Sequence, residues 1–305
     1  MGKIRGVMAV VPTPLTKDED ADLEGIERLI DFLAGHGMSL FALGSAGEGM
    51  NLTLQTRVAA ARKMAEVNNG RVPLLVGGGG FSVRESLEFI GAVADCRIDG
   101  IHIIPYDKKI DGAAVERLYR GIADRSPLPI WLYQNTTRTS GIPIEVVRSL
   151  SSHPNIHGVK LAGFDLRVNQ GFMDLDSPEF QVFGSADSQM FSFFCHGLAA
   201  SSSSAAACFP ELFKDLYASL QTDSLSQART KNRQVMAFLK RLPRGAYWHN
   251  GESAAEVKYQ LALRGICGET VARPWRDQTD EEKRLSEIVH RDYQHYLQTG
   301  ELRLS

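Results

Sequence analysis

Short β-rich runs, each followed by a stretch with helical spacing of apolar residues, recur along the first two thirds of the chain. This alternation calls for a parallel sheet covered by helices. The runs fall at residues 6–11, 39–43, 73–77, 100–104, 129–133, 158–161, 181–183 and, more weakly, 198–202. Between them lie amphipathic segments such as 23–34, where Leu23, Ile26, Ile30 and Leu33 share a stripe, and 83–94, with Leu87, Ile90, Val93 and Ala94. Eight β/α units are the number that closes a barrel, so the expected fold class is α/β, a (β/α)8 TIM barrel. An open doubly wound sheet would place a GxGxxG turn after its first strand, and none stands there.

The strands are used up by Ser204, and the remaining third of the chain carries only helical signals, at 210–220, 224–242, 252–264 and 279–297. The expected organisation is a barrel over residues 1–222 holding the site and a C-terminal helical extension over 223–305 packed on it. Pro243, Arg244, Gly245 and the Arg273-Pro274 pair break the helices, but no long Gly/Ser linker intervenes. The run Ser201 to Ser204 with its three following alanines is too short for a linker, and no repeat exists beyond the β/α period.

Composition narrows the function. Lys and Arg total 34 against 36 Asp and Glu, a net charge of -2 that gathers neither nucleic acid nor an anionic membrane. No apolar run approaches the roughly 20 residues of a membrane-spanning helix. The N-terminus passes from Lys3 and Arg5 into a strand without a cleavage-site pattern, so a cytoplasmic protein is expected. Cys96, Cys195, Cys208 and Cys267 show no CxxC and no metal spacing with histidines; buried free thiols are expected, and no metal site.

In a β/α barrel, chemistry sits where strands end at their C-terminal side. That selects Gly44-Ser45-Ala46-Gly47-Glu48, Tyr106-Asp107, Tyr133, Lys160 and residues 184–187, which include Gly184. Lys160 interrupts an otherwise apolar strand. Burial lowers a lysine pKa, and a neutral amine can attack a 2-oxo acid to form a Schiff base that acts as an electron sink. A salt-bridged or outward-snorkelling lysine is the competing reading. Tyr133 could move protons above the barrel or be a core tyrosine. The Gly44 to Gly47 loop offers consecutive backbone N–H groups suited to a carboxylate, or is an ordinary tight turn. The glycines 77–80 lack the Lys-Ser/Thr of a phosphate loop and suit close backbone packing.

Pro12-Thr13-Pro14, Gly44-Ser45-Ala46-Gly47-Glu48, Tyr133 with Arg138-Thr139, and Gly158-Val159-Lys160 together resemble the dihydrodipicolinate synthase/N-acetylneuraminate lyase family. The resemblance extends through Arg62-Lys63-Met64 to Gly77 and through the terminal 258–274 segment. It implies a barrel with a helical extension, often tetrameric, and hence a homo-oligomer here. It further implies that Lys160 forms the imine, that Tyr133 shuttles protons, and that Ser45 and the N–H of Ala46 hold the 2-oxo acid carboxylate. Arg138 stands where synthase members bind the carboxylate of the aldehyde substrate; a rim salt bridge is the alternative. No cofactor is implied beyond the covalent imine.

The departures fall in the site. Ala46 replaces a usual Thr, Asp107 replaces a tyrosine given to a neighbouring subunit, and Gln134-Asn135-Thr136 replaces Asn-x-Pro. Leu161 and Ala162 follow Lys160 in place of an acidic residue, and Ala200-Ser201-Ser202-Ser203 replaces Gly-Ala-Ile-Ser. The expected reaction is Schiff-base aldol addition, retro-aldol cleavage or dehydration of a 2-oxo acid. Arg138 favours a synthase of lysine biosynthesis, while the serine wall that includes Ser202 favours a catabolic deoxy-sugar-acid aldolase or dehydratase, and the latter is preferred. A 2-oxo acid-binding protein without turnover is the alternative of another class, opposed by the retained Lys160 and Tyr133.

Overall fold

The computed structural model describes residues 3–79, 82–163, 165–222, 224–243 and 253–304. Gly80, Arg244, Gly245, Glu252 and position 223 at the expected domain boundary lie outside the described residues.

Eight parallel strands close into a barrel in sequence order. They are β1 (Gly6–Val11), β2 (Ser39–Ala42), β3 (Leu74–Gly77), β4 (Gly100–Ile103), β5 (Ile130–Asn135), β6 (Ile156–Ala162), β7 (Gln181–Ser185) and β8 (Ala200–Ser203). Helices α1 (Leu23–Gly35), α2 (Leu54–Asn68), α3 (Val83–Val93), α4 (Gly112–Ala123), α5 (Ile144–Leu150), α6 (Leu166–Met173) and α7 (Asp187–Cys195) join consecutive strands. A turn at Ala205–Ala207 leads into α8 (Pro210–Leu220), α9 (Leu225–Leu239), α10 (Ser253–Leu263) and α11 (Asp280–Thr299).

The period of two along each strand divides the apolar residues between two cores. Met8, Val10, Phe41, Leu75, Trp131, Tyr133, Phe183 and Ala200 fill the barrel interior. Val7, Ala9, Leu40, Val76, Ile101, Leu132, Val159 and Val182 face the helices, and this outer core is continuous with Phe209, Leu212, Phe238 and Tyr293 under the terminal helices. Burial on both faces is why these strands read as nearly unbroken apolar runs. Helix starts obey local chemistry: Asp22 and Thr53 accept the backbone N–H of Gly25 and Thr56, and Thr279 with Glu282 forms a capping box at α11. Tyr293 of α11 meets the Phe209 ring edge-on at 4.7 Å, and Arg264 lies over the Phe32 ring of α1 at 4.5 Å, which fastens the last helices to the barrel.

Two expectations shift. Strand β5 runs on to Asn135, because its last residues pair with β6 from Gln134↔Leu161 to Asn135↔Ala162. All four cysteines are free, but only Cys208 and Cys267 are buried; Cys96 is half-buried and Cys195 exposed on the outer end of α7. Among the described residues no helix is long and apolar enough to cross a membrane.

Candidate active site

Register brings Tyr133, Lys160 and Phe183 side by side, since β5 and β6 pair at Tyr133↔Lys160 and β6 and β7 at Lys160↔Phe183. Neighbours in register point to the same face, so all three enter the barrel interior. The Lys160 side chain is buried, with Nζ 3.6 Å from the centre of the Phe41 ring and 4.6 Å from that of Tyr133. Among the described residues no carboxylate pairs with it. Burial alone brings its pKa down from 10.5 to about 7. The two rings favour the ammonium through their faces, and desolvation outweighs them. The burial rules out a lysine that snorkels outward, and among the described residues it sits in no salt bridge.

His102 of β4 joins this cluster without a motif at its position to announce it. It stacks on the Phe41 ring at 3.9 Å with an interplanar angle of 12°, so the Phe41 ring has the Lys160 amine and the imidazole as close neighbours. Its Nε2 bonds the Ala42 carbonyl at 2.9 Å, and its buried Nδ1 has no hydrogen-bond partner among the described residues. Burial, reinforced by the Lys160 charge against the pull of the Ala42 carbonyl, lowers its pKa to about 3, so the ring is neutral. A polar residue inside Gly100-Ile101-His102-Ile103 is the same signal that marks Lys160.

The Tyr133 phenol accepts a hydrogen bond from Asn135 Nδ2 at 3.3 Å. Burial raises its pKa against the pull of Ser45, Asn135 and the Arg138 charge, so it keeps its proton at neutral pH. Burial likewise raises the Tyr106 phenol, with Tyr133 adding to the rise and Arg138, Arg57 and Ser45 opposing it. The Ser45 hydroxyl is thus within electrostatic reach of both phenols, although its buried Oγ makes no aligned hydrogen bond. Ala46 and Tyr106 pack against the interior cluster that holds Phe41 and Tyr133, which places the loop after β2 at the rim above Lys160.

That loop is held hard. Leu43 and Glu48 have φ of 53° and 62°, the left-handed region that non-glycine residues enter at a cost of about 1–3 kcal/mol each. A Cβ on Gly49 would lie 2.1 Å from the Leu43 carbonyl oxygen, so no side chain fits there. Thr13, from the Pro12-Thr13-Pro14 turn, donates its hydroxyl to the Gly47 carbonyl at 2.6 Å.

Arg138 follows β5 in a turn built by Asn135, whose Oδ1 accepts the N–H groups of Thr137 and Arg138 at 3.1 and 3.2 Å. Its guanidinium is half-buried, acts on the Tyr106 and Tyr133 phenols, and has no carboxylate partner among the described residues. The neighbouring Gln134 faces outward and braces the chain by accepting the Ile142 N–H at 2.5 Å.

Three expected contributors stand differently. Asp107 is exposed, and its carboxylate closes a local turn by accepting the Lys109 N–H at 2.8 Å, so it does not join the cluster within this chain. Gly184 points its side-chain direction at the Phe193 ring of α7, 2.1 Å from a Cβ built there, which makes it a packing position on the outer face. The unusual backbone lies two residues on, at Ala186 with φ 85°. Of the serine wall, Ser202 shares the inward register of Met8 and Ser185, and its buried Oγ has no hydrogen-bond partner among the described residues. Ser201 and Ser203 face the helices with Val7 and Ala9, and Ser203 caps the Ala206 N–H at 2.9 Å. Of the strand's three serines, Ser202 alone turns its hydroxyl toward the interior. Asp187, at the start of α7, is pushed up to about 6 by burial, with Ser203 pulling the other way.

A sequence profile of the dihydrodipicolinate synthetase family matches residues 3–291. The 4-hydroxy-tetrahydrodipicolinate synthase of Leuconostoc mesenteroides is 27% identical over 293 residues, covering 93% of this chain and 98% of the relative. Among solved structures, dihydrodipicolinate synthase from Bacteroides thetaiotaomicron superposes with a TM-score of 0.88 at 25% identity, covering 95% of this chain and 99% of that one. YagE, a prophage protein of E. coli K12 solved in complex with pyruvate, has a TM-score of 0.85 at 26% identity, covering 95% and 98%.

Proposed function

We propose that this chain, which belongs to the dihydrodipicolinate synthetase family, is a Schiff-base lyase or synthase acting on pyruvate or another 2-oxo acid. The observation that carries the reading is the Lys160 amine, buried without a carboxylate partner among the described residues and brought to a pKa of about 7. A free amine pair is then present at neutral pH to attack the 2-oxo carbon, and water leaves as the imine forms. In the cleavage direction a base takes the proton of the substrate hydroxyl, the carbon-carbon bond breaks, its electron pair becomes the double bond of an enamine, and the π pair of the protonated imine moves onto nitrogen. Protonation of the resulting enamine carbon and hydrolysis release the 2-oxo acid and restore the lysine. We assign these proton transfers to Tyr133, with Ser45 beside it, a role supported by the Tyr133 ring lying 4.6 Å from the Lys160 amine. The N–H groups of Ser45 and Ala46 suit the 2-oxo acid carboxylate, and Arg138 suits a carboxylate on the second substrate.

For that second substrate the catabolic reading, cleavage or dehydration of a 2-keto-3-deoxy sugar acid, is favoured by the Ser202 hydroxyl on the interior face, which has no hydrogen-bond partner among the described residues. The synthase of lysine biosynthesis is the second reading, favoured by Arg138, which has no carboxylate partner among the described residues. Neither needs a cofactor beyond the imine. A binding protein without turnover is disfavoured, since it gains nothing from an amine whose burial is costly. Steady-state assay of deoxy sugar acids for release of pyruvate, and of pyruvate with aldehydes for its consumption, tests the reading. Turnover that Lys160→Ala abolishes while the fold is kept supports it; undiminished turnover by that variant removes it.

A further inference from the structure

Beneath the loop that carries Ser45 and Ala46, a carboxylate and an ammonium are buried together. The Glu48 and Lys258 side chains are both 0% exposed, with Oε2 2.5 Å from Nζ. Glu48 Oε1 also accepts the Ala272 N–H at 2.7 Å, and Lys258 Nζ donates to the Thr270 carbonyl at 2.7 Å. Burial raises the Glu48 carboxyl, while Lys258 and the Ala272 N–H oppose the rise. A further tie runs from Asn51 Nδ2 to the Arg273 carbonyl at 3.2 Å. The Glu48–Lys258 pair, the Ala272 N–H bond and the Asn51 bond join the β2 loop to α10 and the chain just after it, while the Thr270 bond fixes Lys258 within that segment.

A buried pair could be a plain staple between two elements. Here it grips the last residue of a loop with no slack. Leu43 and Glu48 bound it in left-handed conformations. A Cβ on Gly47 would lie 2.8 Å from the Leu43 nitrogen and 2.9 Å from the Val11 carbonyl oxygen. Glu48 N–H bonds the Ser45 carbonyl at 3.2 Å, and Gly49 N–H bonds the Gly44 carbonyl at 3.2 Å. Such a conformation persists only where its surroundings over-determine it, so a shift of the Glu48 carboxylate is passed to the Ser45 and Ala46 backbone.

We propose that Lys258, acting through Glu48, positions the Ser45 and Ala46 backbone for the carboxylate of the 2-oxo acid, which makes the C-terminal helical extension a working part of the site. The inference rests on the Schiff-base reading of Lys160. Glu48 and Lys258 are positioning residues; neither touches substrate.

The test compares borohydride trapping on Lys160 with pyruvate and with methyl pyruvate, a similar ketone without the carboxylate charge. Two variants are used with the full chain: Lys258→Met, and Glu48→Gln/Lys258→Met, which leaves no unpaired buried charge and keeps the experiment decisive should the single variant fail to fold. The concentration of pyruvate giving half-maximal trapping is expected to rise about 10- to 100-fold, the scale of an ångström-sized misplacement. Methyl pyruvate should keep its wild-type dependence. Equal loss for both ketones, or a wild-type pyruvate dependence in the folded double variant, overturns the inference alone. Absence of any Lys160 adduct in the wild-type protein overturns the Schiff-base reading and the inference with it.

Discussion

Replacing Lys160 by Met should stabilise the protein at neutral pH, and the gain should fade as pH rises. The Lys160 amine has a pKa of about 7 in the folded chain against an ordinary value of 10.5. Between those values the unfolded chain holds a proton that the folded chain lacks, so stability rises with pH through this window, and the cost of burying the amine is greatest below it. Integrating over the shift gives a cost of about 4 kcal/mol at pH 7 and about 1 kcal/mol at pH 10. Met fills a similar volume against Phe41 and Tyr133 and carries no proton. Urea unfolding of both proteins at pH 7 and pH 10 reads the difference directly, because other titrating groups cancel between wild type and variant. A variant gain that is the same at both pH values, or larger at pH 10, would refute the argument that desolvation sets this amine.

Further expectations concern the groups around it. Tyr133→Phe should slow turnover by about 10² to 10⁴ if the phenol moves protons, read as kcat; a wild-type rate assigns it to the core. Arg138→Ala should raise the KM of a carboxylate-bearing second substrate about 10- to 100-fold, the worth of a hydrogen bond to a charged group, with pyruvate trapping on Lys160 unchanged. Gly184→Ala should destabilise the fold by about 1–3 kcal/mol through its clash with Phe193, while the folded fraction keeps the wild-type substrate half-saturation.

The barrel was legible because its strands are buried on both faces: runs such as Gly6–Val11 have no reason to be continuously apolar otherwise. Lys160 was legible by contrast, as a charge inside such a run. His102 gave the same contrast in a milder residue, and only the 3.9 Å stack on Phe41 shows that it belongs with Lys160. What the sequence could not convey is facing. Four consecutive serines read as a polar wall, but a strand turns alternate residues away, and Ser202 alone among the strand's three serines looks inward. Gly184 read as a site glycine because it ends an apolar run, whereas a ring from α7 is what forbids a side chain there. The Glu48 and Lys258 pair lies far apart in sequence, and no local pattern at either residue announces the other.

Mass spectrometry of the protein after incubation with pyruvate and borohydride, followed by peptide mapping, tests the central claim most directly, because reduction fixes an imine on the lysine that formed it. A single adduct on Lys160 is expected, its rate of formation rising with pH through about 7 and then levelling off. An adduct on another lysine, no adduct with pyruvate or larger 2-oxo acids, or a rate still climbing toward pH 10 would contradict it.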